Sequence, residues 1–346
     1  MLGLPLIGSH LAQMALHVAD TVMVGWYGVV PLAAVVLGAS SFFIIFVVGS
    51  GFAKAVMPMV ATAMGQGDEV QVRRDTRMGL WLSIAYGIVV LPIFWWSGTI
   101  LLALGQKPEV TAIAQDYMRI AGFGLVPALC VTVLQSYLAA LHRTQVVLWV
   151  TLVAVAVNVA VNWALIFGNW GFPEMGARGS AVATLVVQSL SLLALGLYAG
   201  FLPDLRRFRL FQRFWRPDWH AMGQVWRLGV PIGLTGLAEG GLFQASALMM
   251  GWIGTVELAA HGIALEAAAL TFMLHVGLSS SATIRIARFD GAGDRVALRQ
   301  AAKVSVAISF GVALVSVALF LLAGRPIVAL FLDMSKPESA AILNYG

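Results

Sequence analysis

From residue 3 onward the chain alternates between long apolar runs and short polar breaks. Nine runs are complete, at roughly 3–25, 33–63, 78–104, 117–141, 146–167, 177–203, 228–253, 258–284 and 302–323. Each has the roughly 20 residues that a helix needs to cross a hydrocarbon core about 30 Å thick. A tenth begins near 339. In lipid every backbone polar group must be satisfied within its own segment, so runs of this length predict helices. The first run is too long, and lacks the basic leader, for a cleaved signal peptide. The pattern predicts an all-α polytopic membrane protein.

The runs are not independent. Slid against itself by 226 positions without gaps, the sequence matches at 21 of 70 positions over residues 4–73. Pro5 meets Pro231, Met23, Gly25 and Trp26 meet Met249, Gly251 and Trp252, and Leu32-Ala33-Ala34 meets Leu258-Ala259-Ala260. Gly65, Gly67, Asp68 and Arg73 meet Gly291, Gly293, Asp294 and Arg299. Shared apolar bias does not align glycines, a tryptophan and a Gly-x-Gly-Asp loop in one register. Six spans separate equivalent points, so both copies enter the membrane from the same side. The repeat is parallel, with two bundles related by an axis along the membrane normal, as in transporters whose substrate path lies between the halves. A first half ending near 225 implies a second ending near 450, about 100 residues or three spans past 346. The expected division is a first lobe over 1–203, a basic connector over 204–227 and a second lobe from 228 to 346.

Composition sharpens the class. Charged residues make up 11% of the chain, against about a quarter in a soluble domain. Basic residues outnumber acidic ones 21 to 16, and their placement matters more than their excess. Fifteen fall in the loops after spans 2, 4, 6 and 8, and five on the opposite side, with Lys54 inside a span. This asymmetry puts the N-terminus and the even loops in the cytoplasm. It also leaves no nucleic-acid surface; the basic run 206–216 suits anionic lipid head groups instead. A lone cysteine, Cys130 in an apolar run, excludes a disulfide framework and a cysteine metal site. The sequence lacks a Ser-His-Asp order, an HExxH pattern and an ATP-binding loop. The Gly-x-Gly-Asp segments have no following Lys-Ser/Thr and read as turns. An enzyme has no support.

Several segments, in order, carry a resemblance: LPLIGSHLAQMALHVADTVMVGWYG, VMPMVATAMGQGD, NVAVNWALIFG followed by GARGSAVAT, VPIGLTGLAEGGLF, and AAHGIALEAAALTFMLHVGLSSSATIRIAR. Together they resemble the multidrug and toxic compound extrusion (MATE) family, in its bacterial NorM-type branch, over nearly the whole chain. The resemblance implies two six-helix bundles, of which nine to ten helices lie within this chain. It also implies export of organic cations and other drugs in exchange for Na+ or H+. The sequence departs from the family pattern in lacking helices 10 to 12, and at two residues. Lys54 stands where an uncharged side chain is expected, and Glu266 where an amide is usual.

Ionisable groups inside a membrane are costly, which makes them functional candidates. At 100° per residue His10, Gln13, His17 and Asp20 fall within an 80° arc of span 1, a polar stripe that must face a cavity or another helix. In span 7, Thr235, Glu239 and Ser246 share a 40° arc, and Glu239 is the repeat counterpart of Gln13. The resemblance carries Asp20 and Glu239 over as the ion-coupling residues of the two lobes. Desolvation makes a bare carboxylate costly, so it takes up a proton or sits against Na+ or a cationic drug. Mutually exclusive occupancy gives antiport. Asn158 and Asn162, four residues apart on span 5, either complete a cation site with Asp20 or bind helices together. Lys54 either pairs with Asp20 or snorkels toward the cytoplasmic end of span 2. Glu266 faces substrate or bonds a neighbouring helix.

The sequence thus reads as a monomeric secondary multidrug exporter of the bacterial inner membrane, without cofactor and with a metal only as coupling Na+ at Asp20 or Glu239. Two alternatives stand beside it. A flippase for lipid-linked oligosaccharides shares the architecture and requires a cationic cavity. A truncated, non-transporting membrane protein follows if the chain ends at Gly346.

Overall fold

The computed structural model describes residues 3–253 and 255–329, so the tenth span lies outside the described residues. The helices are α1 (Gly3–Tyr27), α2 (Val29–Gln66), α3 (Glu69–Trp95), α4 (Ser97–Ala103), α5 (Pro108–Ala140), α6 (Thr144–Phe167), α7 (Ala177–Phe201), α8 (Pro203–Arg206), α9 (Trp219–Ile253), α10 (Thr255–Gly291) and α11 (Arg295–Ala329). Seven of them are apolar and long enough to cross a membrane. The long helices α1 and α9, repeat counterparts of each other, are not among the seven, because the polar positions singled out in the sequence dilute them.

Helix ends differ from hydropathy ends for a physical reason. The run 78–104 divides into α3 and α4 at Trp96, one turn beyond Pro92, whose ring removes a backbone donor. At the other end α3 extends nine residues before the apolar run, to a cap at Asp68. Asp68 Oδ1 accepts from the N–H groups of Val70 and Gln71 at 3.0 and 2.9 Å. Gly67 before it takes the left-handed conformation with φ 73°. The repeat copies the device: Gly293 has φ 71°, and Asp294 Oδ1 accepts from Ala297 at 2.9 Å. The two Gly-x-Gly-Asp segments are therefore helix-to-helix turns. The segment expected as connector is helical at Pro203–Arg206 and again from Trp219, and residues 212–214 between them lie against α3. There Arg77 donates to the carbonyls of Gln212 and Arg213, and Trp81 Nε1 to that of Phe214 at 2.8 Å.

In the first bundle α5 is the central helix, packed by α2, α3 and α7, while α1 rests on α6. Tyr137, Leu134, Leu138 and Val133 of α5 are fully enclosed. α9 and α10 pack chiefly across α2, α10 also against α1, and α11 rests on α10 with its outer face exposed.

Contacts between the two halves gather at the face that carries the arginine-rich turns. Where α2 crosses α9, a Cβ on Gly51 would lie 2.3 Å from the carbonyl oxygen of Gly229. Where α1 crosses α10, Gly277 abuts the backbone of Ile7 in the same way. Gly51 and Gly277 are repeat counterparts, as are Gly233 and Ile7. Gly65 lies against the Arg288 carbonyl and its counterpart Gly291 against that of Thr62, so these contacts straddle the pseudo-twofold axis. Small residues let the backbones approach. Beside these crossings Lys54 of α2 and Thr235 and Glu239 of α9 are exposed in a cleft between the halves, and Gly241 further along α9 has nothing within 4 Å among the described residues.

Candidate functional site

The polar stripe of α1 splits. His10 and Gln13 are half-buried and His17 is exposed, whereas Asp20 turns into the first bundle and is only 9% exposed. There it meets α6 and α7. Asn162 Nδ2 donates to Asp20 Oδ1 at 2.5 Å and to Asn158 Oδ1 at 3.0 Å. Thr184 Oγ1 stands 3.3 Å from Asp20 Oδ2 and 3.1 Å from the carbonyl of Ser180. One hydroxyl proton serves one of these acceptors at a time. Asn158 and Asn162 are completely enclosed, and Tyr117 of α5 is buried within electrostatic range of the carboxylate.

The i, i+4 spacing of Asn158 and Asn162 brings both amides to one face of α6, and α1 packs along that helix. The structure thus unites three residues the sequence singled out. It adds Thr184, Ser180 and Tyr117, which the sequence reading did not single out. Thr184 and Ser180 are also four apart on one helix and both lie within GARGSAVAT, so the polar i, i+4 rule applied to α6 would have found them. Three buried polar atoms here have no partner among the described residues: Asn158 Nδ2, Asn162 Oδ1 and Ser180 Oγ. Unsatisfied buried groups are rare in native proteins. A carboxylate beside a free amide oxygen is an oxygen donor set of the kind hard cations take, and the same carboxylate can hold a proton.

The remaining candidates lie elsewhere. Gln13 Nε2 donates to Gln135 Oε1 of α5 at 3.2 Å. Lys54 stands between the halves, within electrostatic range of Glu239 on α9 and of His10 on α1. Glu239 and Thr235 are exposed to the cleft, while Ser246 on the same face meets His261 of α10 at 3.1 Å. Glu266 is exposed on α10. Two charged regions result: an enclosed acid in the first bundle, and an open Lys54–Glu239 pair of opposite charges between the bundles.

A family model described as MatE matches residues 5–164 and 231–345. Its two matches start 226 residues apart (231 minus 5), the offset of the internal repeat. The probable multidrug resistance protein NorM of Rhizobium meliloti (strain 1021) is 47% identical over 348 residues, covering all of this chain and 74% of that protein. The probable NorM of Agrobacterium fabrum (strain C58) is 45% identical with the same coverage. Among solved structures, the outward-facing conformation of a multidrug resistance MATE family transporter superposes with a TM-score of 0.86 at 20% identity, covering 99% of this chain and 76% of that one. A MOP superfamily transporter from Pyrococcus furiosus gives 0.82 at 21% identity, covering 99% and 75%.

Proposed function

The chain belongs to the multidrug and toxic compound extrusion family of membrane transporters, and from that premise we propose that it exchanges organic cations or other drugs for Na+ or H+ by alternating access. The observation that carries this reading is the enclosed Asp20 carboxylate, with Asn162 bonded to it and the Asn162 oxygen left free. Protonation of Asp20, or a Na+ ion held by Asp20 and Asn162, changes the charge buried between α1, α6 and α7. Because α1 also packs against α10 across the bundle boundary, that change reaches the contact that keeps the halves together. A membrane potential contributes about 2.3 kcal/mol per charge moved through 100 mV.

In this reading Glu239 binds the cationic end of substrates in the cleft and Lys54 limits how tightly it does so. Gln13 and His17 complete the polar lining of the cleft, Glu266 extends it along α10, and Asn158 supports Asn162 at the enclosed Asp20 site. The arginine-rich face lies in the cytoplasm of a bacterial cell, so a cleft closed at that face is open to the outside. Residues 1–203 and 228–346 act as two moving lobes of a monomer in the inner membrane. A flippase for lipid-linked sugars has less support, because the Lys54 charge is countered by Glu239.

The test is dye efflux from proteoliposomes driven separately by a Na+ gradient and by a pH gradient. Asp20→Asn abolishes efflux under whichever gradient is active, and Glu239→Gln abolishes efflux of cationic dyes. Undiminished efflux in both variants overturns the reading.

A further inference from the structure

A second charged region lies away from the cleft. Where the connector docks on α3, a cavity of about 350 Å³ is lined by Arg73, Arg74, Arg77, Arg213, Arg216 and Asp218, with Trp219 at its edge. Five arginines and a single acidic residue line it, and that carboxylate is engaged by Arg74 at 3.3 Å. Arg77 is 8% exposed, and its Nε is buried without a hydrogen-bond partner among the described residues. Its other arm donates to the carbonyls of Gln212 and Arg213 at 3.4 and 3.1 Å. The connector holds this shape at a conformational cost, because Arg209 and Arg213 both carry positive φ, 46° and 54°. Asp75, the nearest other acid on α3, does not line the cavity and accepts from Gln71 at 2.6 Å.

Like charges gathered around a void repel unless an anion occupies it, and planar guanidinium forks match phosphate oxygens. We propose that this cavity binds a phosphate group, with α3 and the connector each contributing arginines to it. Trp215, Trp219 and Phe211 are exposed around the same segment. Tryptophans of this kind sit at head-group depth, which favours the phosphate of an acidic phospholipid over a free phosphate ion. The repeat gives an internal control. Arg299 and Lys303 on α11 are the counterparts of Arg73 and Arg77, yet they do not line this cavity, and α11 packs on α10.

The test uses the purified chain in nonionic detergent. Native mass spectrometry follows its titration with phosphatidylglycerol and with phosphatidylcholine. In parallel, inorganic phosphate is compared with chloride at equal ionic strength by thermal melting. Arg73 and Arg216 donate no side-chain hydrogen bond among the described residues, so the double variant Arg73→Gln/Arg216→Gln keeps the connector docked, which its elution volume checks. The expected result is about tenfold tighter retention of phosphatidylglycerol, lost in that variant and kept in Arg299→Gln/Lys303→Gln. Stabilisation by inorganic phosphate without lipid preference, abolished by the same variant, supports the site with a free anion as its source. The proposal falls if neither ligand discriminates. It falls equally if the preference survives in Arg73→Gln/Arg216→Gln or is lost as fully in Arg299→Gln/Lys303→Gln.

Discussion

Gly51 of α2 and Gly233 of α9 meet backbone to backbone: a Cβ on Gly51 would lie 2.5 Å from the Gly233 nitrogen. A Cβ on Gly233 would lie 2.5 Å from the Val48 carbonyl oxygen. Neither contact can yield, since the obstructing atoms are main chain. Overpacking of this kind costs about 1–3 kcal/mol, and about 1.4 kcal/mol is tenfold in an equilibrium. Gly51→Val and Gly233→Val are therefore expected to disfavour the form closed at the arginine-rich face. A reporter Thr62→Cys, placed where α2 meets Gly291, should react with maleimide faster in either background. An unchanged labelling rate would show that the glycines do not hold that face shut.

Asn162 links α6 to Asp20 and also to Asn158, so its amide orders the whole cluster. Asn162→Leu keeps the volume and removes both donors and the free oxygen. A hydrogen bond to a charged group contributes about 1.5–3 kcal/mol, so gradient-driven efflux should fall roughly tenfold or more. The protein should still elute at the wild-type volume. Asn158→Leu removes one acceptor and should cost less. Equal efflux in wild type and Asn162→Leu would make the amide pair a helix-packing device.

Much of this arrangement was legible in the sequence, and what was not has identifiable causes. Spans followed from hydropathy, but helix ends did not. Hydropathy reports depth in lipid, whereas the start of α3 is set by the Asp68 cap and the left-handed Gly67. The repeat aligned Gly51 with Gly277 and Gly65 with Gly291. Their role as crossing points appears only when α2 is seen against α9 and α10, because a shared glycine does not say what approaches it. Asp20 and the two asparagines stood out as polar residues in apolar runs. Thr184 did not, since threonine is common in membrane helices and its partner is 164 residues away in sequence. The division of the α1 stripe between bundle interior and cleft was likewise invisible, because an 80° arc is wide enough to face both.

Lys54 and Glu239 lie within electrostatic range of each other but form no direct ion pair among the described residues. Their charges should act on a substrate in opposite senses. Lys54→Met is expected to raise affinity for cationic dyes, and Glu239→Gln to lower it while sparing neutral ones. In a double-mutant cycle on dye affinity the two changes should fail to add by roughly 0.5–1 kcal/mol, about two- to fivefold. Strict additivity would mean that they contact substrate independently or not at all.

His142, in the turn between α5 and α6, places Nε2 2.8 Å from the Arg288 guanidinium of α10, across the boundary between the halves. Burial, and then Arg288 and Arg285, lower its pKa below the ordinary 6.5. The closed face therefore favours the neutral ring, which accepts from Arg288. When the halves part, the ring regains its ordinary pKa and binds protons more readily. Closure thus has its full strength above about pH 6.5 and loses it as pH falls below that value toward the lowered one. Maleimide labelling of Thr62→Cys should accelerate on acidification through this window. His142→Asn tolerates the left-handed backbone of this position, φ 62°, and carries no titrating ring. It should flatten the profile. A profile of the same shape in His142→Asn would assign the pH response to another group.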